Sequence, residues 1–220
     1  MSDFATARRK MVDGQVRPSD VTDIRIIEAM LEVPREAFVP QSRRALAYLD
    51  LDLDVSEGDA KGCLIKPAVL AKMLQAAEIG EADDVLVVGC ATGYAAAVTA
   101  RLAGRVRATE SDAALAAKAA EVLGRVGTCN VTVSTNAAAD GDQTGAPYDV
   151  IVLDGATETI PDRLYRQLKE GGRLVGVFAM GRPARAVLVT HSRGDFGERA
   201  LFDATAPVLP GLERVPAFVF

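Results

Sequence analysis

From residue 84 onward the chain alternates short apolar runs with helical patterns. The run at 85–88 has no polar position, which is typical of a strand buried on both faces of a sheet. We expect Ser111 or Asp112 to cap one of the helices, and the pair Gly171–Gly172 to end another. The pattern predicts strands at 85–88, 105–110, 130–134, 148–153 and 173–178, with helices at 93–102, 112–125 and 161–168.

This alternation predicts an α/β protein with a doubly wound, mostly parallel, Rossmann-like sheet, an α/β/α sandwich. Two further strands, 186–191 and 198–202, predict a C-terminal antiparallel hairpin around a Gly194–Asp195 turn. Before residue 81 the pattern differs and is mainly helical. We therefore expect one domain over residues 1–220, in which an N-terminal helical extension (1–80) packs on the sheet of residues 81–220. The extension is predicted to have helices at about 3–13, 20–32 and 67–79 and an irregular stretch at 48–67.

The composition of the chain indicates which kind of protein it is and which partners are not expected. Apolar residues make up 49% of the chain and charged residues 25%, as in ordinary globular proteins. The net charge of −5 argues against a nucleic-acid partner. Because no apolar run is long enough to span a bilayer and residues 1–12 lack a secretory core, we expect no membrane partner. Cys63, Cys90 and Cys129 lack CxxC spacing, which favours a reducing, cytoplasmic location. His191 has no second ligand at metal spacing, so no metal is expected.

A glycine turn follows the first predicted strand. Gly89 and Gly93 let the backbone turn tightly beside a ligand. Glu110 ends the second strand, where an acid accepts hydrogen bonds from both hydroxyls of a ribose. A dinucleotide fold would need glycine at the positions of Ala91 and Tyr94 to cradle a pyrophosphate. S-adenosylmethionine has no phosphate and needs only the turn and the acid. The sequence therefore predicts this cofactor, with five binding residues, Gly89, Cys90, Ala91, Gly93 and Glu110.

Residues 85–97, VLVVGCATGYAAA, resemble the first cofactor motif of the protein-L-isoaspartate O-methyltransferases. The likeness runs in order over most of the chain. It also covers VPREAFVP at 33–40, AYLD at 47–50, APYDVIV at 146–152, QLKEGGRLV at 167–175 and, imperfectly, the tail at 215–220. The resemblance implies the class I methyltransferase fold and S-adenosylmethionine as methyl donor. It also implies damaged proteins or peptides with L-isoaspartyl or D-aspartyl residues as substrates, and leaves the oligomeric state open.

Three positions depart from the family's pattern. The family's active-site loop resembles GQTIS-x-P, and here Ile65 stands at the hydroxyl position, where it has no hydrogen bond to donate. The family's Gly-Asp-Gly after the third strand, whose Asp accepts from the adenine amine, corresponds to residues 136–138. Asn136 is the remaining acceptor there, because Ala137 replaces the Asp. Asp154 replaces a threonine after the fourth strand and is our candidate catalytic residue, although an aspartate there also caps turns.

Three functions stay open at this level. The favoured one is methylation of isoaspartyl carboxylates, in which the enzyme mainly aligns the reactants because the acceptor is ionised at neutral pH. The second is a methyltransferase with a different acceptor, which the missing hydroxyl at Ile65 and a repelling Asp154 favour. The third is a non-enzymatic S-adenosylmethionine-binding protein, which the missing Asp at Ala137 allows.

Overall fold

The structure of the protein, a computed structural model, describes residues 3–56, 58 and 61–215. Most of the tail match, residues 216–220, lies outside the described residues. Strands and helices alternate through the second half of the chain, as the apolar runs predict. In chain order the elements are α1 (Phe4–Met11), α2 (Ile24–Glu32), β1 (Leu53–Asp54), β2 (Cys63–Leu64), α3 (Pro67–Ala77), β3 (Asp84–Val88), α4 (Tyr94–Thr99), β4 (Arg105–Glu110), α5 (Ala113–Arg125), β5 (Val131–Thr135), β6 (Tyr148–Thr157), α6 (Asp162–Tyr165), β7 (Leu168–Phe178), β8 (Arg185–Ser192) and β9 (Asp195–Asp203).

Seven strands form the main sheet, in the order β5-β4-β3-β6-β7-β8-β9. The pairs from β5 to β7 are parallel, and β8 and β9 are antiparallel. The predicted doubly wound sheet with its C-terminal hairpin is thereby confirmed. After β3 the chain first adds β4 and β5 on one side and then returns to add β6 and β7 on the other. The change of direction at β3 makes a topological switch point.

The central strand β3 buries side chains on both faces of the sheet. Val85 and Val87 belong to one apolar core, which also contains Met30 of α2 and Leu70 of α3. The helical N-terminal segment therefore packs on this face. Leu86 and Val88 belong to a second core with residues of α6 and of the segment that follows β9. A strand buried on both sides explains why its sequence has no polar alternation.

The predicted helix at 161–168 is shorter in the structure, and the role assigned to the glycine pair was wrong. Leu168 already pairs with Tyr148, and the next ladder pair joins Val150 to Arg173. The extra residues of β7 lie in the register shift between these two ladder pairs, and Gly171 and Gly172 are among them. Gly171 has a φ of +79° there. A Cβ on Gly172 would lie 2.8 Å from the Lys169 carbonyl oxygen. The pair therefore shapes a bulge in the strand instead of ending a helix.

Smaller differences concern the ends of elements. The helix predicted from about residue 20 begins at Ile24, because Asp20 has a left-handed φ of +62° and the Asp23 side chain caps the first turn. The stretch expected to be irregular contains the short pair β1–β2. The hairpin turn lies one residue earlier than predicted, before Asp195. At α5 the cap is as expected, since the Asp112 side chain accepts from the Leu115 N–H at 3.0 Å.

His191 lies in β8 and contacts its neighbours in the fold. Its Nδ1 is 3.0 Å from the Lys169 carbonyl oxygen, and its ring stacks on Phe196 with a centroid distance of 4.6 Å. Across the described ranges, His, Cys, Asp and Glu side chains form no group of three that could hold a metal ion. None of the helices described here is long and apolar enough to cross a membrane.

Candidate active site

The carboxyl ends of β3, β4 and β6 meet at one edge of the sheet. Val88 pairs with Thr109 of β4 and with Leu153 of β6. The next residue along each strand is therefore Gly89, Glu110 or Asp154, and these three lie side by side. This edge is the switch point, where doubly wound proteins bind their ligands.

A cavity of about 780 Å³ opens at this edge, a volume suited to a small ligand. The sheet edge forms one wall, through Gly89, Ala91, Glu110, Ser111 and Asp154. The segment around β1 and β2 forms a second wall, which includes Asp52, Asp54, Ser56, Lys61, Gly62 and Cys63. The segment that follows β9 forms a third, with Pro207, Val208, Leu209, Pro210 and Glu213. Three distant parts of the chain thus enclose one space.

The glycine turn presents its backbone to this cavity. Gly89 has a φ of +74°, and a Cβ there would lie 2.3 Å from Cδ2 of Leu209. Glycine at this position therefore allows the C-terminal segment to approach. Ala91 also has a left-handed φ, +47°. This conformation costs an alanine about 1–2 kcal/mol more than a glycine, so the alanine adds local strain to the turn.

Glu110 joins the end of β4 to the glycine turn. It is 5% exposed, and its Oε2 accepts from the Ala91 N–H at 2.8 Å. Its Oε1 accepts from the N–H groups of Ser111 at 2.8 Å and Asp112 at 3.2 Å. An ionised carboxylate has about four lone-pair sites, so Oε2 retains capacity for a ligand hydroxyl.

Asp154 is a buried carboxyl group without a hydrogen-bond partner in the described structure. It is 3% exposed, and neither of its oxygens is hydrogen-bonded. Burial raises the pKa of Asp154 to about 7, Arg35 opposes the rise, and the charges of Glu110 and Asp52 add to it. At neutral pH the protonated form of this group is therefore far more populated than that of an exposed aspartate.

Arg35 lies beneath the loop that precedes α3. Its side chain is 1% exposed, and its Nε donates to the Ala47 carbonyl at 2.9 Å. Its Nη2 donates to the Ile65 carbonyl at 3.0 Å, and the guanidinium lies over the Tyr94 ring at 4.6 Å. Ile65, which stands at the family's hydroxyl position, has a 1% exposed side chain in the main core. The loop is therefore held by its backbone, while its side chain at this position faces the core.

The structure brings together four of the residues that the sequence singled out. Cys90 is buried under the turn, and Gly93 precedes α4 with a φ of +98°. Asn136 donates its side-chain amide to the Gly141 carbonyl at 2.9 Å, and Ala138 lines the cavity instead. The roles of all the predicted site residues in ligand binding or catalysis stay predictions. The four that line the cavity are Gly89, Ala91, Glu110 and Asp154.

Sequence reasoning missed Asp52, Cys63 and Leu209. Asp52 accepts from the Lys66 N–H at 2.9 Å, so it orients the loop as well as lining the cavity. The aspartates before and within β1 were a signal for a polar wall. Leu209 belongs to a segment without a motif, and only its contacts with the glycine turn reveal its place.

The three cysteines are expected to react with thiol reagents at very different rates. Burial, together with the charges of Asp52 and Asp154, raises the pKa of Cys63 to about 12, so its reactive thiolate is scarce at pH 8. Cys129 is exposed and Cys90 is buried. We expect iodoacetamide to label Cys129 first, Cys63 slowly and Cys90 only after unfolding, as followed by peptide mass spectrometry. Equal labelling rates for Cys63 and Cys129 would contradict this, and Cys129→Ser should remove the fast phase.

Comparison with known proteins gives one consistent family. The family model described as protein-L-isoaspartate (D-aspartate) O-methyltransferase matches residues 7–196. A protein-L-isoaspartate O-methyltransferase of Roseiflexus sp. (strain RS-1) is 37% identical over 193 residues, which are 88% of this chain and 86% of that relative. Protein-L-isoaspartate O-methyltransferase 2 of Anaeromyxobacter sp. (strain Fw109-5) is 42% identical over 170 residues, 77% of this chain and 69% of that relative.

A solved structure described as a protein-L-isoaspartate O-methyltransferase has the same fold. It superimposes with a TM-score of 0.84 at 26% sequence identity, over 94% of this chain and 67% of that one. The matched part includes the helical N-terminal segment as well as the sheet.

Proposed function

This chain belongs to the protein-L-isoaspartate (D-aspartate) O-methyltransferase family, and we propose that it transfers a methyl group from S-adenosylmethionine to damaged aspartyl carboxylates. The substrates would be proteins or peptides that contain L-isoaspartyl or D-aspartyl residues. The observation that supports this most is the cavity at the switch point, where Glu110 and the glycine turn stand beside the unpaired carboxyl of Asp154. The free thiols of the described chain support the further proposal of a cytoplasmic location.

The residues of the cavity fit S-adenosylmethionine. Glu110 has acceptor capacity for ribose hydroxyls, and Gly89 and Ala91 of the glycine turn line the cavity beside it. The carboxyl groups of Asp52 and Glu110 suit a cationic ligand. Bound there, S-adenosylmethionine supplies an electrophilic methyl group on a sulfonium.

The chain's own contribution to methyl transfer is to align the acceptor and to exclude water. Little acid–base chemistry is needed, because a carboxylate acceptor is ionised at neutral pH. The C-terminal segment is held over the site by backbone hydrogen bonds, from the Ala156 N–H to the Pro207 carbonyl at 2.8 Å and from the Leu209 N–H to the Ala156 carbonyl at 2.9 Å. A segment held over the reactants in this way helps to exclude water and favours their near-attack arrangement.

We expect the protein to label an isoaspartyl peptide with methyl from S-adenosylmethionine and to leave the normal aspartyl twin unlabelled. The two peptides differ only in backbone connectivity, so the comparison isolates recognition of the damaged linkage. The measurement is transfer of radiolabelled methyl at saturating cofactor. Absence of labelling by a folded protein that binds S-adenosylhomocysteine would reject the proposed acceptor.

The acidic wall of the cavity favours a second candidate, a methyltransferase with a neutral or cationic acceptor. Asp52, Asp54 and Glu213 face the same space as Asp154, and Lys61 is a cationic residue among them. Ionised Asp154 would attract an amine and repel a carboxylate. Labelling of amine-containing peptides but not of the isoaspartyl peptide, in the same assay, would support this candidate.

A further inference from the structure

A carboxylate acceptor would meet an acidic cavity, and it requires a hydrogen-bond donor there. Ile65 has no donor in its side chain, which lies in the core. The Ser111 hydroxyl already donates to Glu110 at 3.1 Å. The Cys63 thiol is a weak donor, and Lys61 is exposed. No buried side chain in the described part of this loop is thus a strong donor that could replace the side chain that the family uses, and the ammonium of Lys61, which also lines the cavity, is exposed to solvent.

Asp154 is a buried side chain that borders the cavity and has no hydrogen-bond partner among the described residues. It is 3% exposed, yet both of its oxygens lack a partner in the described structure. A buried polar atom without a partner costs about 1–3 kcal/mol, so such atoms are rare in folded proteins. Asp154 lines the cavity next to Gly89 and Glu110, so the cavity is the adjoining space from which a ligand would reach this carboxyl group.

We infer that Asp154 in its protonated form is a catalytic residue that donates a hydrogen bond to the carboxylate of the methyl acceptor. This inference rests on the proposed function. Ile65 cannot donate a hydrogen bond from the loop. Asp154, at the end of β6, would supply that hydrogen-bond donor instead. A protonated carboxyl also removes the charge repulsion that an ionised Asp154 would exert on the acceptor.

The surroundings of Asp154 favour the protonated form. Glu110 approaches from β4 and Asp52 from the residue before β1, while the thiols of Cys63 and Cys90 lie in the same region. Arg35, which lies after α2, is the cation that opposes them. Burial and the two carboxylates raise the pKa of Asp154 to about 7 against this guanidinium. An anionic acceptor in the cavity raises that pKa further, because two carboxylates close together share one proton.

The proposed step balances without any other reactant. One oxygen of the acceptor carboxylate forms a bond to the methyl carbon as the carbon–sulfur bond breaks and its electron pair stays on sulfur. Asp154 donates to the other oxygen and keeps its proton throughout. The products are the methyl ester and S-adenosylhomocysteine.

Binding of an isoaspartyl peptide between pH 6 and 9, in the presence of S-adenosylhomocysteine, tests this inference without turnover. The acceptor carboxylate stays ionised over this range, so a change in affinity reports on the protein. For the wild type we expect the Kd to rise by up to about tenfold per pH unit above the pKa of Asp154 in the peptide-free protein, and to level off above the higher pKa of Asp154 in the peptide complex. Asp154→Thr keeps a donor that does not titrate, and its Kd should be independent of pH. Asp154→Val has the same shape without the donor, and should bind about 10- to 100-fold more weakly than Asp154→Thr.

Affinity for S-adenosylhomocysteine and circular dichroism show whether each variant is folded. Asp154→Asn is an additional variant with a hydrogen-bond donor that does not titrate. Equal peptide affinity for the Thr and Val variants, or a wild-type Kd that does not change with pH, would overturn the inference alone. Tighter peptide binding at high pH would also overturn it, because it would show that the ionised form is the functional one. A wild type that neither binds nor methylates the isoaspartyl peptide at pH 6 would instead reject the proposed function.

Discussion

Glu110→Gln is expected to weaken binding of S-adenosylhomocysteine about 100-fold, since charge-assisted hydrogen bonds contribute about 1.5–3 kcal/mol each. The wild-type carboxylate accepts from the N–H groups of Ala91, Ser111 and Asp112. A carboxamide has one acceptor oxygen and an NH₂ group, which would face one of these donors. The glycine turn and the end of β4 would both lose their common partner.

Isothermal titration calorimetry with S-adenosylhomocysteine measures this effect. Glu121→Gln is the matched control, because Glu121 lies on the exposed side of α5, where it pairs with Lys118 and Arg125. We expect the control to bind as the wild type does. An affinity of Glu110→Gln within threefold of the control would show that this carboxylate does not contact the cofactor.

Arg35→Met is expected to lower the free energy of unfolding by about 2–6 kcal/mol, because each of two buried carbonyl groups left without its donor costs about 1–3 kcal/mol. The substitution leaves the carbonyls of Ala47 and Ile65 without their donor and removes the cation from the Tyr94 ring. It also removes the positive charge that favours ionisation of Asp154. The free energy of unfolding that is lost with these interactions is therefore larger than the contribution that the apolar packing of methionine adds.

Urea unfolding, followed by circular dichroism, checks this expectation. Arg101→Met is the matched control, because Arg101 makes a surface ion pair with Glu32 at 3.3 Å and its side chain is 38% exposed. Surface ion pairs contribute about 0–1 kcal/mol, so the control should unfold almost as the wild type does. Equal midpoints for the two variants would show that Arg35 is not needed to hold the loop.

Local sequence patterns were sufficient to predict the sheet and the part of the site that the glycine turn and Glu110 form. The run at 85–88 predicted a strand because a strand buried on both faces excludes polar residues. The position of Glu110 at the end of β4 and a cap at Ser111 or Asp112 also followed from sequence, since both depend on neighbours within a few residues, and the structure selects Asp112 as the cap. The order of motifs over most of the chain was sufficient to indicate the family.

Long-range packing decided what local patterns could not determine. Asp52 and Leu209 reach the cavity from segments far from the glycine turn, and no periodicity marks them. The burial of Ile65 and the unpaired oxygens of Asp154 depend on which other residues surround them. A pattern of apolar and polar positions reports whether a face is buried, but several distant segments can cover that face. Only the tertiary structure selects among them, because their contacts are made between residues that the sequence keeps far apart.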